Sequence, residues 1–259
     1  MIEMTIRSSN SVKAEREFFM VHLFRDWEIA VTTAPRQGQP LLNSTLASLQ
    51  AAGWDYATIF AEPGSDLQAV SSVHTVHQNT ERLWTWPQFL QAVRCGVAAG
   101  SNKIAVVQDD LQIAAGLRGF LDRTLTGQGV WSPYSPGMLA EHRIHEYGGG
   151  RGWIEVPHHF LRLRTHGACF YAMTAETARQ LDQTVDRLMQ RESPGRHRIS
   201  TDGWMGKWCF DQKVPLFHHV PSLVQHVGEV SALDDRGRHT QLSNMRMATD
   251  FCQDANALP

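Results

Sequence analysis

The chain has 259 residues, 42% of them apolar and 19% charged, with a formal charge of -2 and a pI near 6.7. This composition excludes a disordered or fibrous chain, and the balance of charge excludes a global basic field that would draw it onto nucleic acid or membrane. No apolar run approaches the roughly 20 residues that span a bilayer, so no membrane association is expected. Four cysteines, Cys95, Cys169, Cys209 and Cys252, stand apart without a C-x-x-C pair, which fits a reduced intracellular protein better than a disulfide framework. The N-terminus lacks a basic start followed by a long apolar core, so no signal peptide is expected and the expected location is the cytoplasm.

Trp27 to Thr33, W-E-I-A-V-T-T, is the first predicted strand, and Pro35 ends it. After a loop with Gly38 and Pro40, Leu41, Leu42, Leu46 and Leu49 recur at helical spacing and Gly53 follows the last turn. Tyr56 to Ala61 predicts a second strand and Ser71 to Val76 a third. Trp86, Phe89, Leu90, Val93 and Val97 mark an amphipathic helix with Pro87 in its first turn and Gly100 beyond its end. Ile104 to Val107 then reads as a strand buried on both faces, and Ile113, Leu117, Phe120 and Leu121 again recur at helical spacing. Strands alternating with helices predict a mainly parallel sheet with helices on its faces. The segment 127–164 is rich in glycine, proline, aromatics and arginine without a period, as functional loops are. T-H-G-A-C-F-Y-A-M-T predicts a small-residue strand, Thr174 the cap of a helix running to about Gln190, and Asp202 the start of a short helix. Val214 to Phe217 is a further candidate strand, followed by P-S-L-V-Q-H-V-G.

The chemistry centres on K-I-A-V-V-Q-D-D-L-Q. A buried strand that stops at two adjacent carboxylates, Asp109 and Asp110, must solvate them, pair them or hold a cation with them. The carboxyl end of a strand in an open α/β sheet is also where ligands bind. Either acid is equally suited to capping a following helix, and the stretch alone leaves both readings open.

In order along the chain, T-T-A-P-R, V-V-Q-D-D-L, T-H-G-A-C-F-Y-A-M with T-D-G-W-M-G-K-W, and P-S-L-V-Q-H-V-G resemble the small GT-A fold glycosyltransferases of bacteria and their phages. More distantly they are similar to the branching N-acetylglucosaminyltransferases. The resemblance covers about Trp27 to Leu233 and implies an α/β fold: a GT-A, Rossmann-like mixed sheet flanked by helices. It divides the chain into an N-terminal extension (1–26), a single catalytic domain (27–246, with a nucleotide-sugar-binding half at 27–126 and an acceptor half at 127–246) and a polar tail (247–259).

The resemblance further implies Asp110 and His226 as ligands of Mn²⁺ or Mg²⁺, which would neutralise the diphosphate of a UDP-sugar donor. It implies Asp109 facing the ribose or sugar, with Gln108 in place of the usual first acid of a Glu-Asp-Asp motif. Asp202 would be the general base of an inverting transfer, its competing role being the cap of its own helix. Thr33, Pro35, Arg36, Glu62 and Trp86 would border the nucleotide, and Gly167 would let the backbone lie against the donor sugar. The competing reading of His226 is core packing, and of Trp86 likewise. The thirteen histidines show no spacing that predicts structural zinc.

Basic clusters at Arg143 to Arg164, Arg191 to Arg198 and Arg236 to Arg246, with Trp131, Tyr134, Tyr147 and Trp153, suggest a rim for a large anionic acceptor or else a solvated surface. Phage enzymes of this kind include those that glucosylate hydroxymethylated pyrimidines, so double-stranded DNA carrying 5-hydroxymethylcytosine is the sharpest expected acceptor and the host cytoplasm the place of action. A surface polysaccharide or other glycan is the alternative, and no obligate protein partner is expected. From other classes, a nucleotidyltransferase is disfavoured by the missing glycine run in T-T-A-P-R, and a non-catalytic nucleotide-sugar binder stays open.

Overall fold

A computed structural model describes residues 26–36, 41–68, 70, 72–135, 150–161, 168–192, 200–228, 248 and 250–258. Gly167, Tyr147, most of the three basic clusters and the predicted N-terminal extension apart from Asp26 lie outside the described residues.

The expected mixed α/β sheet flanked by helices is present. Its first half comprises β1 (Trp27–Thr33), α1 (Leu42–Ala51), β2 (Thr58–Ala61), β3 (Thr75–Gln78), α2 (Thr85–Ala98) and β4 (Lys103–Gln108). These strands run parallel in the order β3-β2-β1-β4. The chain departs from β1 toward β2 on one side and returns to β4 on the other, which makes the carboxyl ends of β1 and β4 the switch point where such sheets bind ligands. Thr32 pairs with Gln108 there.

The apolar run in β4 is explained by burial on both faces. Ala105 and Val107 join Ile29, Val31, Leu46 and Leu49 on one side, while Ile104 and Val106 join Phe89, Val93 and Tyr171 on the other. Helix α2 lies close against this strand because residue 96 is glycine. A Cβ there would stand 2.8 Å from Ile104 Cγ1.

Beyond β4 the expectation of a helix following Asp110 directly is not met. Leu111–Ile113 is a short strand, β5, and the next helix, α3 (Leu117–Thr124), starts after Gly116 in the left-handed region. The leucine and isoleucine of L-Q-I alternate about a glutamine, a period too short to separate strand from helix in the sequence. The third strand likewise sits at Thr75–Gln78 rather than from Ser71, since an exposed edge strand carries no burial pattern to fix its bounds.

The second half adds β6 (Val130–Ser132), β7 (Gly152–Glu155), β8 (Phe170–Thr174), α4 (Ala175–Glu192), α5 (Thr201–Gln212) and β9 (Leu216–Val220). Strand β8 pairs antiparallel with β4, and β6, β9 and β7 complete one eight-stranded sheet. Strands β6 and β7 fall in the stretch read as loop; each is too short to show a period. Thr174 caps α4 as expected, accepting from the Thr177 N–H. A separate two-stranded ribbon joins β5 to β10 (Val224–His226) and sets His226 opposite Leu111. Residues 250–258, expected as a loose tail, are docked: Ala115 donates to Gln253 and accepts from Ala255, and Cys252 donates to Ser222. No helix among the described residues is long and apolar enough to cross a membrane.

At the amino edge Asp122 accepts hydrogen bonds from Trp27 Nε1 and Lys103 Nζ, each at 2.7 Å. Burial alone would raise its carboxyl, but these bonds and the charges of Lys103 and Arg118 outweigh burial and hold it below its ordinary value of 3.8. A depressed folded-state value stabilises the fold above the unfolded value and is lost as pH falls through the folded one. The urea midpoint of Asp122→Asn should therefore lie below wild type at neutral pH, the gap closing as pH falls below about 4. A gap that is constant with pH would mean that the charge is irrelevant. For Gly96→Ala, overpacking against Ile104 should cost about 1–3 kcal/mol against a helix-propensity gain of about 1 kcal/mol. Net destabilisation is expected in urea unfolding, and Ile104→Val should relieve part of it.

Candidate functional site

The switch point holds a buried cluster of charge. Thr33 ends β1 and donates from Oγ1 to Asp109 Oδ2. Arg36, three residues on, donates from Nε to Asp109 Oδ1 at 3.2 Å and from Nη2 to the same oxygen. That Nη2 also lies 2.9 Å from Asp110 Oδ2. His226, the last residue of β10, places Nε2 3.0 Å from Asp110 Oδ2. Thr33, Asp109, Asp110 and His226 are all buried. Asp109 and Asp110 precede a strand, so neither caps a helix, and the helix-cap alternative is excluded.

Several residues hold this geometry that the sequence reading did not single out. Thr45, on the buried face of α1, donates to the Asp109 carbonyl at 2.8 Å and accepts from the Leu111 N–H at 3.0 Å. Gln88 of α2 donates to the Thr33 and Phe60 carbonyls, joining the carboxyl ends of β1 and β2. The signal for both was present: a threonine and a glutamine on the apolar faces of amphipathic helices, where a polar group must have a buried partner. Val227 donates to the Asp110 carbonyl, and a Cβ at Gly228 would lie 2.6 Å from Asp110 Oδ2. Only glycine lets the chain after His226 pass so close to the carboxylate.

The two acids differ. Burial raises the Asp109 carboxyl above its usual range despite Arg36 and Thr33. Burial acts on Asp110 in the same sense, but the hydrogen bond and charge of His226, with the charge of Arg36, overcome it and hold Asp110 below the usual range. Asp110 Oδ1 is buried without a hydrogen-bond partner among the described residues. Two donors at right angles on an ion with bonds of about 2.1 Å lie about 3 Å apart, which is the Asp110–His226 separation. A carboxylate and an imidazole are donors that a divalent cation accepts, and here the two bond each other. The pair is not a closed protein site, since no three His, Cys, Asp or Glu side chains gather as one among the described residues.

Asp202 sits in the first turn of α5, but it does not cap it: Ser200 does, accepting from the Gly203 N–H. Asp202 Oδ1 instead accepts from the Ala168 N–H at 2.6 Å and the Tyr171 hydroxyl at 3.3 Å. Burial, then the charge of Asp202, push Tyr171 well above its ordinary value, so its hydroxyl stays a donor. The neighbouring Cys169 carbonyl accepts from Gln108 N–H, which ties Asp202 to the same edge of the sheet as Asp109. Gln108 ends β4 half-buried.

Other expected nucleotide contacts are corrected. Trp86 is fully buried, stacked on Phe89 and Trp204, and belongs to the core. Glu62 is buried with its carboxylate accepting from the Leu83 and Trp84 N–H groups. It holds the turn in which Trp84 takes a φ of 68°, and these N–H groups account for its burial without a ligand. Trp131 and Tyr134 are likewise buried, so they form no acceptor rim, and Trp153 packs on Phe120 and His219. Pro35 is exposed beside Gly64. A cavity of about 120 Å³ opens beside it, lined by Thr33, Ala34, Arg36, Leu42, Asp66 and Asp109 among others.

Fold and site together define an α/β protein with a buried charge cluster, beside a small cavity, at the carboxyl edge of a mixed sheet. No protein-family model matches the chain, and no curated protein does. Solved structures do, 287 chains in all, and a fold so widely shared cannot name a chemistry. One of them is the crystal structure of mannose-1-phosphate geranyltransferase from Thermus thermophilus, at a TM-score of 0.48 and 11% identity over 75% of this chain and 73% of that one. A likeness that distant carries no argument about activity, which rests on the side chains.

The corrected role of Glu62 is open to test. Glu62→Ala should lower stability by about 2–3 kcal/mol, the range for charge-assisted bonds to buried N–H groups, and Glu62→Gln by less. Urea unfolding alongside calorimetric UDP titration checks this. Lost UDP affinity at unchanged stability would return Glu62 to the nucleotide site.

Proposed function

We propose that the chain is a glycosyltransferase of the GT-A type that moves a sugar from a UDP-sugar to an acceptor hydroxyl with inversion. The observation that carries the reading is the meeting of Thr33, Arg36, Asp109, Asp110 and His226 at the carboxyl ends of β1 and β4, with Asp202 tied to the same edge.

Asp110 and His226 would hold Mn²⁺ or Mg²⁺, which when bound supplies positive charge for the departing diphosphate. Arg36, beside the cavity, is suited to bind phosphate oxygens through its planar fork. Thr33 and Pro35 border the cavity mouth, and Asp109 and Gln108 face ribose or sugar. In the transfer the acceptor oxygen bonds to the anomeric carbon while the bond from that carbon to the diphosphate oxygen breaks, its electron pair leaving on UDP. The acceptor proton passes to Asp202. Ser200, not Asp202, caps the helix, and the bonds from Ala168 and Tyr171 fix the direction of the Asp202 carboxylate.

As acceptor we propose a hydroxymethylated pyrimidine in DNA, with a surface glycan as the alternative. Of the described basic residues in the expected rim, Arg151 is exposed and Arg191 is paired with Asp211. The assay carries both acceptors.

Incubation with Mn²⁺ and a panel of UDP-sugars, with hydroxymethylcytosine DNA or a bacterial polysaccharide, should release UDP with at least one pair. Asp202→Asn should keep donor affinity and lose turnover by about 100- to 10,000-fold. Full turnover in that variant would remove Asp202 as the base, absence of release from every donor would sink the glycosyltransferase reading, and pyrophosphate release from a nucleoside triphosphate would point to nucleotidyl transfer instead.

A further inference from the structure

Two nitrogen groups converge on one carboxylate oxygen. Arg36 Nη2 stands 2.9 Å from Asp110 Oδ2, and His226 Nε2 stands 3.0 Å from it. The same guanidinium bonds Asp109 through Nε and Nη2, so one positive charge serves two buried acids. A divalent cation on either oxygen of Asp110 would face that guanidinium across one carboxylate, where like charges repel strongly because the surroundings hold little water. The Arg36–Asp110 ion pair and a metal on Asp110 are therefore alternatives. The backbone at the two acids is held by its own bonds: Thr45 joins the Asp109 carbonyl to the Leu111 N–H, and Val227 donates to the Asp110 carbonyl. Arg36 has a route out, because it lines the cavity beside Thr33 and Asp66 and follows the end of β1 rather than lying within it. A diphosphate in that cavity offers the guanidinium a second bidentate anion.

We infer that Arg36 is the resident counter-cation of the Asp109–Asp110 pair, which occupies Asp110 until a diphosphate draws the guanidinium away and frees that acid for the metal. Metal and donor then load together, and the empty protein does not hold a divalent ion firmly. The inference rests on the donor-site reading above and adds to it an order of events and a cause.

The test is uptake of Mn²⁺ by the full chain, read as loss of the free-ion electron paramagnetic resonance signal beyond that in the same mixture without protein, with and without UDP, for wild type, Arg36→Ala and Arg36→Gln. Wild type should bind Mn²⁺ weakly alone and at least about tenfold more tightly with UDP. Without UDP, Arg36→Ala should bind Mn²⁺ about tenfold more tightly than wild type; with UDP bound, Arg36 has left Asp110 and the two forms should bind Mn²⁺ alike, so the enhancement by UDP should shrink by a like factor. Arg36→Gln keeps hydrogen bonding without the charge and should behave the same way; thermal melting shows which variants fold. Unchanged or weaker Mn²⁺ binding in the folded variants, with wild type still taking up Mn²⁺ beside UDP, would overturn the inference and leave the metal reading standing. No uptake by any form, with or without UDP, would remove both.

Discussion

Two carboxylates at the end of a doubly buried strand impose the constraint on which the rest of this structure depends. Buried acid is tolerated only when paired and hydrogen-bonded, and the chain gathers its partners from separate places. Arg36 and Thr33 come from the end of β1, His226 from the ribbon strand β10, and Thr45 from α1. Each partner is a reason for an otherwise arbitrary detail of the fold. The threonine on an apolar helix face, the glycine after His226 and the short strand that replaces an expected helix all serve to bring polar groups to Asp109 and Asp110. The sheet is held by apolar burial that many sequences could supply, whereas this cluster needs particular atoms at particular places.

Much of the architecture was legible because the first half obeys strong periodicities. Strand β1 and helix α2 announce themselves by apolar runs and helical spacing, and the apolar Ile104 to Val107 needed both faces buried. Strands β5, β6, β7 and β10 were not legible, since three or four residues cannot display a period. Their place is decided by neighbours distant in sequence, as when Val130 pairs with both Met173 and Leu216. The docked segment 250–258 was missed for a related reason: it is polar, and it is held by backbone hydrogen bonds that any sequence can make.

At the site, residue type was a better guide for acids than for aromatics. Asp109, Asp110, Arg36 and His226 were expected together on a resemblance and stand together in space, because charge placed beside a buried strand has few other destinations. Trp86, Trp131 and Tyr134 were expected near ligands and lie in the core instead. A large aromatic ring buries more apolar area than any other side chain, so with no second constraint the core claims it. Glu62 shows the converse case of an acid whose partner is local backbone. No ligand is required to explain its burial once the N–H groups of Leu83 and Trp84 are known to point at it.

The ribbon formed by β5 and β10 is joined by only three residue pairs and is separate from the eight-stranded sheet. Asp110 is anchored at the end of that large sheet, while His226 is carried on the outer strand of the ribbon, itself fastened by Ser222 to Cys252 and by Ala115 to the chain near Asp254. The carboxylate and the imidazole therefore belong to units of unequal cooperativity. Fraying of the ribbon would part them while the sheet stays whole, and amide exchange at Val224 to His226 is expected to run ahead of exchange in β4.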